Sequence, residues 1–139
     1  MLSVKRLSYE DALILLKAAE KKARKIGVRM CIAVADESGN LIAFQKMNDS
    51  KVLSVTLAQD KAFTAAIAKR GTHEYNELCV PGSLVFGIHT SLGGRFAIVG
   101  GGLPVIVEGD VVGGIGVSGG APEQDIECAQ AGLDAFAKV

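Results

Sequence analysis

His73 and His89 are the only two imidazoles in the chain, and His73 is followed directly by Glu74, with Glu77 close behind. An imidazole beside carboxylates has the composition of a general base or of an axial metal ligand. No His-x-x-x-His pair, carboxylate cluster or Cys–His spacing supports it, so a half-exposed histidine near a helix start is the plainer reading of His73. His89 sits in a stretch without a legible pattern. Lys61 follows Asp60 on a helix whose other face is small, and that pair is ordinarily solvated. If the helix lines a pocket, Lys61 becomes a partner for an acidic group. Gly116-Val117-Ser118-Gly119-Gly120 meets the spacing of a nucleophile elbow. No histidine follows Ser118, so a triad cannot be completed in the chain order that elbow requires.

Cys31, Cys79 and Cys128 are odd in number and scattered. That argues against a disulfide framework and against a Cys-x-x-Cys metal or redox site. Cys31 and Cys128 read as small core residues, and Cys79, beside Val80-Pro81, as the one that is exposed.

Glycine is the loudest signal, with 17 in all, most of them after position 81. Gly114-x-Gly116-x-x-Gly119 satisfies a dinucleotide fingerprint between a strand and a helix. A nucleotide-binding βαβ unit then needs a second parallel strand carrying an acidic residue, and here the chain ends with the helix. Gly119-Gly120 and the helix start can still offer backbone N–H groups to an anion. Glu123 and Asp125 compete for the same helix end and are the favoured occupants. Gly100, Gly101 and Gly102 allow another backbone, or a flat ligand, to come close, and a tight bend would use them equally well.

The elements that must position these groups follow from periodicity and punctuation. Ser8 and Asp11 make a capping box for a first helix, whose apolar residues recur at helical spacing up to Gly27. Met30 to Ala35 and Leu41 to Met47 flank Asp36-Glu37-Ser38-Gly39-Asn40 and read as a β-hairpin. Asn48-Asp49-Ser50 offers caps for a second helix running to about Lys69, with a small inner face of Val52, Val55, Ala58, Ala62, Ala65 and Ala66. A short helical turn covers His73 to Cys79. Ser83 to Gly94 is illegible. Phe96 to Val99, Leu103 to Val107 and Val111 to Val117 read as three strands, the last two joined by Glu108-Gly109-Asp110. Pro122 opens a final helix to Lys138. The sum is a single α+β domain over residues 1–139, with a five-stranded antiparallel sheet built from hairpins and flanked by helices.

With 139 residues, 49% apolar and 22% charged, the chain can bury its own core. Fifteen basic and fifteen acidic residues cancel. No basic footprint points to nucleic acid, and no apolar run approaches the ~20 residues of a membrane helix. The N-terminus shows no h-region of a secretory signal, so a cytoplasmic location is expected. Near-zero net charge suits self-association.

Gly71-Thr72-His73-Glu74, Val80-Pro81-Gly82, Gly100-Gly101-Gly102-Leu103-Pro104-Val105 and Gly113 to Gly120 followed by Glu123-Gln124-Asp125 form an ordered series over nearly the whole chain. Ala33-Val34-Ala35-Asp36 with Gly39, and Asp60-Lys61-Ala62, add to it. The series resembles the GlcG/HbpS family, and within it the branch of the PduO C-terminal domain and the stand-alone OrfY proteins of diol and glycerol utilisation loci. The resemblance implies an antiparallel sheet with packed helices, an oligomer, and for several members haem binding, with haem sensing or degradation in some. It implies no adenosyltransferase activity, because that chemistry of PduO belongs to its other domain. In haem-binding relatives it implies an iron ligand near the start of the domain. This chain has no histidine before His73, which leaves His73, Met30, Met47, a non-histidine ligand or no iron at all, with Arg70, Arg95 and Lys61 as propionate partners by type.

The expectation is therefore a homo-oligomeric domain that binds a small molecule or cofactor, haem or a corrinoid, through His73, Glu74, Lys61, Gly100, Gly101, Gly102, Glu123 and Asp125. Two alternatives remain. One is an enzyme acting on a small carbonyl or carboxylate compound with His73 and Glu74 as acid and base. The other is a non-catalytic assembly subunit.

Overall fold

The computed structural model describes residues 1–139. Helix α1 (Tyr9–Ile26) begins where the Ser8 hydroxyl accepts the Asp11 N–H at 3.1 Å and the Asp11 carboxylate accepts the Ser8 N–H at 2.9 Å. Gly27 ends it in the left-handed region. Strands β1 (Cys31–Asp36) and β2 (Leu41–Lys46) form the expected hairpin, its turn shaped by Asp36, whose Oδ1 accepts the Ser38 and Asn40 N–H groups.

Helix α2 (Val52–Ala68) starts at Lys51 without a side-chain cap, not on Asn48-Asp49-Ser50. The Ser50 hydroxyl donates instead to the Met47 carbonyl at 2.8 Å, which removes it from capping. A 3₁₀ turn (Thr72–Glu74) runs into the short helix α3 (Tyr75–Leu78). Within the stretch that carried no pattern lie two more 3₁₀ turns, Ile88–Thr90 and Leu92–Gly94. Strands β3 (Gly102–Val107) and β4 (Asp110–Ser118) form the second hairpin, and Pro122 opens helix α4 (Pro122–Ala137).

The sheet has four strands, not five, in the order β2-β1-β4-β3 with every neighbour antiparallel. Phe96 to Val99 is apolar like a strand but is not one, because side chains satisfy its backbone. Thr64 Oγ1 accepts the Ala97 N–H at 2.9 Å and donates to the Arg95 carbonyl, Asn76 Nδ2 donates to the Ile98 carbonyl, and Thr72 Oγ1 donates to the Val99 carbonyl. Phe96 is buried as an anchor, edge-on to Tyr75 with ring centroids 4.9 Å apart.

Helices α1 and α4 pack on each other and cover one face of the sheet, and α2 covers the other. Alternation along β1 divides the core accordingly. Ile32 and Val34 join Leu15, Leu16, Val105, Ile115 and Val117 under α1 and α4, whereas Cys31, Ala33 and Ala35 meet Ala58 and Ala62 of α2. The first core is made of large side chains and the second of small ones, so α2 lies unusually close to the strands. Val52, assigned by its spacing to the inner face of α2, is exposed, since the helix start projects past the sheet.

Candidate functional site: a cleft over Lys61

The close seat of α2 is set by glycines in β4. A Cβ at Gly116 would stand 2.1 Å from the Ala58 carbonyl oxygen and 2.4 Å from the Ala62 nitrogen, and one at Gly114 would stand 2.5 Å from the Ala62 carbonyl oxygen. The fingerprint-like glycines therefore serve backbone-to-backbone packing and not a phosphate. This closeness carries Lys61 down to the sheet, where its side chain is only 2% exposed. Its Nζ donates to the Val117 carbonyl at 2.9 Å and to Asp125 Oδ2 at 2.9 Å. Gly101, at φ +128°, makes room for it, because a Cβ there would meet Nζ at 2.7 Å and the Val117 carbonyl oxygen at 2.4 Å. Lys61 is thus no solvated partner of Asp60, which is bound instead by Arg95 Nε at 3.1 Å.

Asp125, in the first turn of α4, is equally buried. Its Oδ1 accepts the Gly120 N–H at 2.9 Å, and Gln124 Oε1 accepts the Ala121 N–H at 2.9 Å. The start of α4 is therefore answered by Asp125 and Gln124, while Glu123 points to solvent. Burial draws the Lys61 ammonium below its ordinary range and pushes the Asp125 carboxyl above its own, and the attraction between the two opposes both shifts. Above this pair opens a cleft of about 180 Å³ between the starts of α2 and α4. Ser54 and Ser118, both buried, share one hydrogen bond of 3.0 Å in its wall, and Lys51, Leu53, Leu57, Val99 and Pro122 form the rim.

The structure brings Lys61, Asp125, Gly100 and Gly101 together around this cleft. Gly102, just beyond, packs on the Lys61 backbone carbonyl. His73 and Glu74 lie elsewhere, both exposed, in an open depression of about 420 Å³ with Arg70, Asn76, Glu77 and Leu78. One Glu74 oxygen accepts the Gly71 N–H at 2.7 Å. Arg70 lies over the Tyr75 ring and Arg95 over the Phe63 ring. Met30 is sealed in the core, and the Met47 sulfur is engaged by the Met30 N–H at 3.4 Å, with Met47 only at the floor of a small hollow of about 200 Å³.

Cys79 is buried, contrary to its reading as exposed, and its Sγ lies 3.1 Å from His89 Nδ1. The turns around His89 fold it back onto the end of α3, a closure that no periodicity announces. Ser54 was likewise missed as a wall residue, since a serine in the first turn of a helix carries no signal of its own.

Comparison with known proteins places the chain. Residues 7–134 match the family described as haem degrading protein HbpS-like. The chain belongs to the HbpS-like family. An uncharacterized 15.0 kDa protein of the dhaT-dhaS intergenic region of Citrobacter freundii is 41% identical over 88% of this chain and 87% of its own length. The corrinoid adenosyltransferase PduO of Salmonella typhimurium is 34% identical over 94% of this chain, which spans only 39% of that enzyme. Among solved structures, Klebsiella pneumoniae ORFY superposes with a TM-score of 0.98 at 37% identity, covering 100% of this chain and 96% of the other. The PduOC:haem complex superposes at 0.90 with 34% identity over 94% of both chains. The HbpS-like fold is thus the α+β domain described above, and no helix in it is long and apolar enough to cross a membrane.

Proposed function

We propose that this HbpS-like chain is a haem-binding domain that works as a homo-oligomer, and that His89 is the residue that would hold the iron. The likeness to the PduOC:haem complex over 94% of both chains carries the haem reading, and the surroundings of each candidate ligand choose among them. The imidazole of His89 is oriented through Nδ1 by the Cys79 sulfur, which leaves Nε2 for iron. Phe86 lies 5.9 Å from it, centroid to centroid, and Leu84, Val85 and Leu92 are exposed in the same segment, giving the apolar wall a porphyrin needs.

His73 lies beside Arg70, but the residues around it are Arg70, Glu74, Asn76 and Glu77, with Leu78 as the one apolar side chain. The largest hollow, about 640 Å³ between β3 and the end of α4, has the size for a tetrapyrrole yet is lined by no His, Cys, Met, Lys or Arg. The cleft over Lys61 lies below the ~300 Å³ lower bound of pockets for larger ligands.

The exposed apolar residues of the segment, Leu84, Val85, Phe86 and Leu92, suit coverage by a second copy. Bound there, haem would supply redox and ligand-binding chemistry at iron, and the chain would supply the His89 imidazole and apolar side chains that exclude water. The test is a haemin titration of purified protein followed by visible absorption and native mass spectrometry, with cobalamin in parallel. A saturable Soret shift that is lost in His89→Ala and kept in His73→Ala is expected. No shift with haemin overturns the reading, and a response to cobalamin alone moves it to a corrinoid.

A further inference from the structure

The cleft over Lys61 is a built site that a haem reading does not use. Its floor is a lysine and an aspartate, each nearly inaccessible, and its wall is a pair of buried hydroxyls. Counting donors shows what is left over. The Lys61 ammonium has three N–H bonds and spends two, on the Val117 carbonyl and on Asp125. Ser54 and Ser118 have two O–H bonds and one mutual contact, so one hydroxyl hydrogen remains. Both Asp125 oxygens already accept. The site therefore holds one ammonium N–H and one hydroxyl hydrogen to spare, and beside them hydroxyl and carboxylate lone pairs that can meet a ligand hydroxyl.

Its electrostatics agree. Lys51 and Lys61 outnumber Asp125 among the lining charges. Helix α2 starts here with no side-chain cap and no acidic residue in its first turn; the Ser54 N–H donates to the Lys51 carbonyl at 3.0 Å, which leaves the N–H groups of Val52 and Leu53 and the positive dipole end for an anion. The start of α4, by contrast, is already taken by Asp125 and Gln124. Leu53, Leu57, Val99 and Pro122 give the rim a short apolar stretch.

We propose that this cleft binds a small carboxylic acid, its carboxylate at the start of α2 beside Lys61 and a second oxygen on the Ser54–Ser118 hydroxyls. A volume of about 180 Å³, at roughly 30 Å³ for each water displaced, admits a molecule of about six heavy atoms. Three-carbon hydroxy and keto acids have that size and that pattern of oxygens. The site is separate from the surface at His89, and its occupation does not depend on haem.

The experiment is a titration of haem-free protein with sodium lactate and sodium pyruvate at constant ionic strength, read by amide NMR. Lactamide serves as the uncharged match and inorganic phosphate as the competing anion class. Saturable shifts at Leu53, Ser54, Gly119 and Gly120 are expected with an acid and not with lactamide. Lys61→Met should abolish them. Because Lys61→Met leaves Asp125 buried without its partner and can fail to fold, the exposed Lys51→Glu is the second variant, expected to weaken binding about threefold or more. Absence of saturation by tens of millimolar with both acids overturns the proposal. An equal response to lactamide or phosphate, or unchanged binding in Lys51→Glu, overturns it as well. Since the readout lies away from residues 84–92, failure here leaves the haem reading standing, and the reverse holds too.

Discussion

Lys61 on α2 and Asp125 on α4 are 64 positions apart in sequence and 2.9 Å apart in space, and together they tie the helix on one face of the sheet to the helix on the other. The contact passes the end of β4, where Lys61 also holds the Val117 carbonyl. A buried pair of this kind is worth less as an attraction than its loss costs, because a lone charge is left behind. Lys61→Met and Asp125→Asn should therefore each lose about 3–5 kcal/mol of stability. The double variant should lose clearly less than the sum. Urea denaturation of the three variants checks this, and additive losses would show that the pair is not coupled.

The second prediction concerns acid. The Arg6 guanidinium, hydrogen-bonded to Glu37, holds that carboxyl at about 2. A carboxyl depressed in the folded state stabilises fully above its unfolded value, near 4.3, and loses that contribution as pH falls toward 2. The wild type should thus weaken over that interval. Arg6→Gln should already lack the contribution at neutral pH and show a flatter acid limb. Because Arg6 is exposed, added salt should narrow the difference between the two proteins.

Thiol reactivity gives a third. Burial pushes the Cys128 thiol up to about 11, and neither Cys128 nor Cys31 is accessible. Cys79 keeps a small exposure beside His89. Alkylation of native protein near pH 8 should label Cys79 first and leave the other two until the chain is denatured. Peptide mass spectrometry reads the order directly, and early labelling of Cys128 would contradict its placement.

The fourth prediction tests why α2 sits where it does. Gly116→Ala puts a methyl group against the Ala58 backbone, which cannot yield as a side chain would. A loss of about 3 kcal/mol or more is expected, or failure to fold. Gly109→Ala is the control, with open space around its Cα and only its positive φ against it. It should lose about 1 kcal/mol. Thermal melts of both variants decide.

The fold was legible wherever local chemistry determines local structure. Ser8 with Asp11, Gly27, the hairpin turn at Asp36 to Asn40 and Pro122 all mark ends that backbone geometry enforces, and those elements appear within a residue or two of their expected bounds. Phe96 to Val99 misled because an apolar run states burial, not its hydrogen-bond partners, and those partners are Thr64, Thr72 and Asn76. In the same way Lys61 looked solvated because the residue that neutralises it is distant in sequence. Family resemblance brought Lys61, Asp125 and the triple glycine into view together, but only packing shows that they share a cleft and that His73 does not belong to it. The Cys79–His89 contact was invisible for the same reason, since its two ends are joined by turns with no period.

The side-chain pins that hold Arg95 to Val99 have a further consequence. Between α3 and β3 only the Gly101 carbonyl, which accepts the Val117 N–H at 2.9 Å, adds to the hydrogen bonding of the sheet, and the Gly102 N–H is fixed by Thr72, ahead of the 80–95 segment. The register of β3 against β4 is thus set independently of how many residues precede it. Insertions or deletions between Val80 and Arg95 need not slide the sheet, so the sheet sets no length for the segment around His89. The cleft over Lys61, locked by backbone contacts at Gly101 and Gly116, has no such freedom.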